Sequence, residues 1–322
     1  MNKVKWGVLG TAGIAKGATI PGMLQAEHCE LYVIAGRKAE KAADYQRTFG
    51  FRKAYGSYDE LLADPEVEAV YIPLPNDLHC VWALKALKAH KHVLCEKPLA
   101  ISEEQAAEMF RTAEENGVYL MEAYAYLHSP IIAALKAELD AGTVGDVRYL
   151  ESAFITGRRP DTDIRLRRET CGGALYDLGC YTVSMALWLL GKEPDTVMAS
   201  AQFSDKKIDL FTSALLTYDS GAVVNLDCGM VLPQGRLDRF HLCGTQGEIV
   251  SPVEFNQSGE IPYTVIRNGV KETKTVTAPN NYMLEVEQLS RCVLKEAIPH
   301  VTKEFSLKVA RVMDRILNEI GY

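Results

Sequence analysis

The chain has 322 residues, 48% of them hydrophobic and 24% charged, with a net charge of -7. That length suits two domains rather than one core, and the composition excludes disorder, coiled coil and collagen. The acidic balance offers no basic stripe to a phosphate backbone, which argues against nucleic acid as a partner.

Met1 to Trp6 runs directly into a short apolar strand, Lys5 to Leu9, which leaves no room for a signal peptide. Gly10-Thr11-Ala12-Gly13-Ile14-Ala15 follows, and then a helical stretch toward Leu24. Strand, glycine turn and helix come in the order a pyrophosphate site needs. Gly10 permits the tight turn, Gly13 lets backbone approach phosphate, and small Ala15 takes the place of a third glycine. The other reading of this motif is a plain strand-to-helix connection. A second buried strand, Cys29 to Ala35, ends at Gly36-Arg37-Lys38, where a ribose-contacting residue belongs. An acidic residue there would hold the free 2'-hydroxyl of NAD, whereas Arg37 and Lys38 suit the 2'-phosphate of NADP. NADP is therefore favoured and NAD is kept as the alternative. The competing reading makes the two cations the solvated start of a helix from Ala39 to Phe49.

The alternation continues with strand Ala69 to Ile72, the loop from Pro73, a helix to Ala89 and strand His92 to Cys95. Pro73 and Leu74 suit the adenine and ribose. Asn76 or His79 suits the nicotinamide side, with backbone-satisfied packing as the other reading of His79. Glu96-Lys97-Pro98 follows the last of these strands, and ligands gather at the carboxyl ends of strands in open α/β sheets. Ser102 caps a helix running to Asn116-Gly117, and strand Val118 to Met121 closes the first domain. The expected fold is an α/β Rossmann domain over 1–123.

Residues 124–322 read as an α+β domain with an open, mainly antiparallel sheet. Helix Pro130 to Ala141 precedes strands Val147 to Phe154, Ala199 to Phe203, Thr212 to Tyr218, Ala222 to Cys228 and Phe240 to Cys243. Asp219-Ser220-Gly221 marks a hairpin turn. Gly172-Gly173 reads as a flexible entrance to a helix that continues through Val183 to Leu190. On it Asp177 and Tyr181 are four apart and share a face; a core aromatic and an early-turn carboxylate are the plain alternative. Tyr282 to Lys295 and Ser306 to Ile320 read as amphipathic helices. No apolar run reaches the about eighteen residues of a membrane span. The eight cysteines are scattered singly without a Cys-x-x-Cys pair, which suits reduced thiols and a cytoplasmic protein.

The glycine turn, Glu96-Lys97-Pro98, Met121-Glu122-Ala123 and Gly173-Ala174-Leu175-x-Asp177-x-Gly179-x-Tyr181 together resemble the glucose-fructose oxidoreductase and inositol dehydrogenase (Gfo/Idh/MocA) family. The resemblance spans essentially the whole chain. It is strongest to the NADP-dependent branch of trans-dihydrodiol dehydrogenases and D-xylose 1-dehydrogenases, which carry tyrosine where inositol dehydrogenases carry histidine. It implies NADP between a Rossmann domain and an open-sheet domain, and hydride transfer from a sugar, polyol or diol hydroxyl. By motif position it assigns catalysis to Lys97, Asp177 and Tyr181.

A tyrosine with an ordinary pKa of about 10 is too weakly acidic to serve as base at neutral pH; an ammonium at Lys97 would favour its phenolate. The implied cofactor set is Gly10, Thr11, Ala12, Gly13, Ile14, Arg37, Lys38, Pro73, Leu74, Asn76, His79, Glu96, Lys97 and Glu122. Tyr124, Tyr126, Phe154, Arg158 and Tyr282, with Lys97, Asp177 and Tyr181, form the expected substrate set, and Arg159 and Asn281 are possible polar neighbours. The tyrosine pair 124 and 126 departs from the bulky residues common in the branch, which leaves the substrate open. Arg165, Arg167 and Arg168 read as a solvated loop, with an acidic substrate as the alternative. No metal is expected in the chemistry. A cyclitol or ketosugar oxidoreductase and a non-enzymatic NADP-binding regulator are the competing functions. An open sheet has a face or an edge to cover, which suggests a homo-oligomer, a dimer or tetramer.

Overall fold

A computed structural model describes residues 2–251 and 255–322 of the chain; Met1, where the strand reading begins, lies outside them. The backbone forms two compact units, Met1–His128 with Asn280–Ser306, and Ser129–Pro279 with Leu307–Tyr322.

In the first unit β1 (Val4–Leu9), β2 (Cys29–Ala35), β3 (Lys53–Tyr55), β4 (Ala69–Ile72), β5 (His92–Glu96) and β6 (Leu120–Ala123) form one sheet in the order β3-β2-β1-β4-β5-β6. All five pairings are parallel. The strands are short and almost wholly buried, as a sheet covered on both faces requires. This is the Rossmann order, with its crevice where the order reverses between β1 and β4. The short β3 was not read from the sequence. Helix Tyr58–Ala63 after it starts with a capping box, the Ser57 side chain and Glu60 each accepting from the other's backbone amide.

The domain boundary expected at 123/124 differs from this packing. Helix Asn281–Val293 belongs with the first unit, because Val286, Leu289 and Cys292 are buried there and the Trp6 indole Nε1 donates to Ser290 Oγ at 3.0 Å. Gly22 makes the approach possible. A Cβ on it would stand 2.7 Å from Met283 N and Tyr282 C. Asn280 caps the helix by accepting from the amides of Tyr282 and Met283.

In the second unit β7 (Val147–Gly157), β8 (Thr196–Phe203), β9 (Asp209–Thr217), β10 (Val223–Leu232), β11 (Arg236–Gly244), β12 (Gly247–Ser251), β13 (Gly259–Arg267) and β14 (Val270–Ala278) form an eight-stranded sheet. Its order is β14-β13-β12-β11-β7-β10-β9-β8, antiparallel except for β7 with β10. The expected hairpin is present: Gly221, at φ +82°, closes it by donating to Tyr218 O at 2.8 Å. Strands β12 to β14 were not read. The stretch Arg168–Leu190 is long and apolar enough to span a membrane by composition, but most of it is buried inside the fold, as a core helix is.

Candidate active site

In the first unit, the chain turns at Gly10 with φ +132°, a conformation that favours glycine. A Cβ there would lie 3.1 Å from Leu74 Cδ2 and 3.8 Å from Pro73 Cγ, so the Pro73 loop borders the turn. A Cβ on Gly13 would meet nothing within 4 Å. The first amides of a helical turn lack intrahelical acceptors, and with open space at Gly13 the turn fits a pyrophosphate. The carbonyls of Thr11 and Ala12 are held from the other side, by Lys41 Nζ at 2.9 Å from Thr11 O and by the Tyr45 hydroxyl. Ile14 is exposed. Beside them Gly36 abuts the Thr11 methyl, and exposed Arg37 reaches the Tyr58 hydroxyl, offsetting the burial that raises that phenol. Arg37 and Lys38 thus leave β2 next to the glycine turn.

His79 is fully buried, with ring nitrogens 2.8 Å from Pro98 O and 2.7 Å from Leu74 O. Burial lowers its pKa, although both carbonyls favour the protonated ring. This is the backbone-satisfied histidine of the second reading: it ties the Pro73 loop to Pro98 rather than pointing at a nicotinamide. Asn76 opens the same helix and is half-buried.

Around Glu96-Lys97-Pro98, whose Lys97-Pro98 peptide is cis, Lys97 alone among residues 93–100 is not buried. Glu96 is buried and accepts from the Tyr71 hydroxyl, which in turn accepts from Thr19 Oγ1 at 2.8 Å. Glu285 lies beside this chain, fully buried, with neither carboxyl oxygen hydrogen-bonded to a described residue. Desolvation and the neighbouring Glu96 raise its pKa well above the carboxylate range. Glu122 is buried too, and Leu99 N donates to its Oε1 at 2.8 Å. Desolvation pushes it up to about 7, while Ser306, the Leu99 amide, Tyr124 and the charge of Lys97 pull it back. Tyr124 and Tyr126 are fully buried, edge to face with ring centroids 6.0 Å apart. Tyr282 is half-buried at the start of its helix.

In the second unit, Leu175–Gly179 forms a π-helical turn that runs into helix Cys180–Leu190. Such turns recur at functional sites, and this one carries Asp177 and leads to Tyr181. The two glycines before it are not a flexible entrance. A Cβ on Gly172 would lie 2.4 Å from Arg165 O, and one on Gly173, at φ +118°, would lie 2.0 Å from Asp209 Oδ1. Asp209 is buried and accepts from Leu175 N at 2.7 Å and Thr212 Oγ1 at 2.8 Å. Desolvation pushes it up to about 6.

Arg165 corrects another expectation. Its Nε donates to Asp177 Oδ2 at 2.7 Å and its Nη1 to Asp163 Oδ1 at 3.3 Å, while Arg159 Nη2 stands 3.7 Å from Asp177. Asp177, Asp163 and their own hydrogen bonds favour the guanidinium charge. The loop is solvated only in part: Arg167 and Arg168 are exposed and bonded to the carbonyls of Thr162 and Lys207. Arg158 is exposed just beyond β7.

Tyr181 lies in an aromatic cluster, its ring centroid 5.4 Å from Phe154 and 5.1 Å from Phe255, with the Arg236 guanidinium 4.4 Å over Phe154. Asn256 Nδ2 lies 3.5 Å from the Tyr181 hydroxyl. Phe154 was expected here. Asp209, Phe255 and Asn256 were missed, as was the pairing of Arg165 with Asp177, because each acts from a loop or a strand end that no periodicity marks.

A sheet of this order, with a glycine turn after its first strand and cations after its second, defines a dinucleotide-binding Rossmann protein. Residues 4–124 match an oxidoreductase family with an NAD-binding Rossmann fold, and residues 132–250 match the GFO/IDH/MocA C-terminal domain. D-xylose 1-dehydrogenase (NADP(+)) 2 of Haloferax volcanii is 38% identical over 97% of this chain and 95% of its own. Trans-1,2-dihydrobenzene-1,2-diol dehydrogenase of Xenopus laevis is 31% identical over 98% of both. A 3-ketoreductase of Actinomadura kijaniata, solved with NADP and TDP-benzene, has a TM-score of 0.93 at 30% identity over 99% of this chain and 98% of that one. It has also been solved with a tyrosine replaced by phenylalanine and with a lysine replaced by alanine. The chain belongs to the GFO/IDH/MocA family of oxidoreductases.

Proposed function

We propose that this oxidoreductase uses NADP to oxidise a sugar, polyol or diol hydroxyl, or to reduce the corresponding carbonyl. The observation that carries the reading is Lys97, the one accessible residue of a buried segment at the carboxyl end of β5. The lysine and tyrosine substituted in the ketoreductase have the same separation along their chain as Lys97 and Tyr181 have here. Names of relatives that specify NADP, together with Arg37 and Lys38 beside the glycine turn, support that nucleotide over NAD.

NADP, when bound, supplies the hydride acceptor, and NADPH the donor. The Tyr181 hydroxyl exchanges the proton of the reacting oxygen, as base in oxidation and as acid in reduction. Lys97 favours the phenolate by its charge. Asp177, clamped by Arg165, orients a substrate hydroxyl as a fixed acceptor. A ketosugar as the physiological substrate is the second reading, favoured by the ketoreductase relative.

We also propose a cytoplasmic homo-oligomer, a dimer or tetramer. All eight cysteines are free thiols, and an outer strand of the second sheet, β8, exposes Met198 and Phe203. Light scattering on the purified chain tests the oligomer.

The decisive test is a panel of aldoses, polyols, trans-diols and ketosugars with each nucleotide, followed by absorbance of the reduced form. Turnover with NADP on at least one of these classes is expected, falling by about 100-fold or more in Lys97→Ala and Tyr181→Phe. Unchanged turnover in either variant refutes its assigned role.

A further inference from the structure

On β11, Phe240 and Leu242 are buried while His241 and Cys243 stand on the other face, half-exposed. Glu248 of β12 lies directly across from Cys243, and on the opposite side β7 places Tyr149 across from Cys243 and Glu151 across from His241. His241 Nε2 is 2.9 Å from Glu248 Oε2 and 3.2 Å from Cys243 Sγ. The three donor atoms lie within 4.8 Å of one another.

Hydrogen bonding through Nε2 serves Glu248 and Cys243 by turns, a proton on the nitrogen suiting the first and a bare lone pair the second. One ring nitrogen carries at most one proton. If Nε2 bears it and donates to Glu248, the thiol is left to face the N–H; if it does not, its lone pair receives the thiol proton but confronts the carboxylate lone pairs. A cation at the shared focus satisfies all three donors together. Around a tetrahedral metal with bonds of about 2.0–2.3 Å, neighbouring donors stand about 3.5 Å apart, so the two spacings to His241 Nε2 need to open by only a few tenths of an ångström, and the Cys243 thiol and Glu248 carboxylate lie within 4.8 Å of each other. The paired strands of the hairpin hold the donors at that separation. The local charge also suits a cation: Glu248 faces Cys243 and Glu151 faces His241 across the paired strands. Glu151 is held by Arg239 at 2.7 Å.

We propose that His241, Cys243 and Glu248 form a binding site for a borderline divalent metal of the zinc type, with imidazole, thiolate and carboxylate as ligands and a fourth position open to water. This donor set selects zinc, or cobalt as its spectroscopic substitute, over magnesium and calcium, which prefer oxygen ligands alone. Binding displaces the thiol proton to solvent. None of the three residues belongs to the hydride-transfer set, so the site stands apart from the expectation that the chemistry uses no metal.

The test uses the full chain stripped with a chelator and titrated with Zn2+ against a chromophoric competitor. One equivalent is expected to bind, with affinity falling at least about tenfold in Cys243→Ser and in His241→Gln. Co2+ is expected to give a sulfur-to-metal charge-transfer band that Cys243→Ser abolishes, with circular dichroism confirming that both variants fold. Should one variant fail to fold, the other and the cobalt spectrum of the unaltered chain still decide. Absence of saturable binding overturns the site, as does equal affinity in the variants or a cobalt complex without the thiolate band. Retention of zinc through Glu27, His28 and Glu287, the other such cluster among the described residues, appears as binding unchanged in the variants and also overturns it.

Discussion

Replacing Glu122 with glutamine should make the first unit more stable at neutral pH and leave it nearly unchanged in mild acid. The folded chain buries this carboxyl completely and pushes it from 4.5 up to about 7. A carboxyl raised in the folded state keeps a proton that the unfolded chain has released, so stability declines as pH climbs from the unfolded value through the folded one. The gap, at about 1.36 kcal/mol per pH unit, amounts to about 3 kcal/mol. The penalty is about 0.4 kcal/mol at pH 4.5 and has nearly reached its plateau at about pH 8. Glutamine keeps an oxygen for the Leu99 amide and carries no charge to desolvate, so it escapes the penalty. Urea unfolding of both proteins across pH 4.5 to about 8 measures the difference. In a Trp188→Phe background the remaining tryptophans, Trp6 and Trp82, both report the first unit. A stability difference that is flat over this range, or that shrinks with rising pH, would refute the reasoning.

Three other outcomes follow from the geometry. Arg37→Ala should raise the KM for NADP by about 10 to 100-fold, equivalent to a lost charge-assisted bond of about 1.5–3 kcal/mol, while NAD kinetics hardly change; equal effects on both nucleotides would remove Arg37 from the 2'-phosphate. Arg165→Ala frees Asp177 from its 2.7 Å partner and should lower kcat about tenfold or more. Its pH-rate profile should also shift, a change that Arg165→Lys restores only partly because lysine lacks the planar fork; a profile identical to that of the unaltered chain argues against the positioning role. Gly173→Ala should cost more than about 1 kcal/mol in the second unit, since its φ of +118° is strained for alanine and its Cβ would displace the Asp209 carboxylate. Equal denaturation midpoints would contradict this.

Much of the first unit was legible in the sequence, because its strands are short buried runs punctuated by helices with clear caps, such as Ser102 accepting from Gln105 N. Gly10, the Pro73 loop and Lys97 were readable for the same reason: each follows a strand at its carboxyl end. What escaped depends on neighbours remote in sequence. Arg165 reads as one more surface cation until the Gly172-Gly173 turn brings Asp177 against it. His79 reads equally as a cofactor contact or as a backbone-satisfied ring, and only the fold shows the two carbonyls that close on it. Strand β14, Val-Lys-Glu-Thr-Lys-Thr-Val-Thr-Ala, lies at a sheet edge with mostly exposed residues, so it shows no clean alternation of apolar and polar positions. Helix Asn281–Val293 was recognised as amphipathic, but periodicity names a buried face without naming what buries it.

The path of the chain through its two units has a consequence for synthesis. It leaves the first unit after His128, returns at Asn280 and leaves again after Ser306, so no single cut releases that unit intact. A fragment ending near residue 123 would lack the helix that meets Trp6 and Gly22, leaving an apolar wound on its sheet layer. A ribosome making this protein must therefore finish nearly all of it before the nucleotide-binding half can close, and until then that half depends on other means of staying soluble.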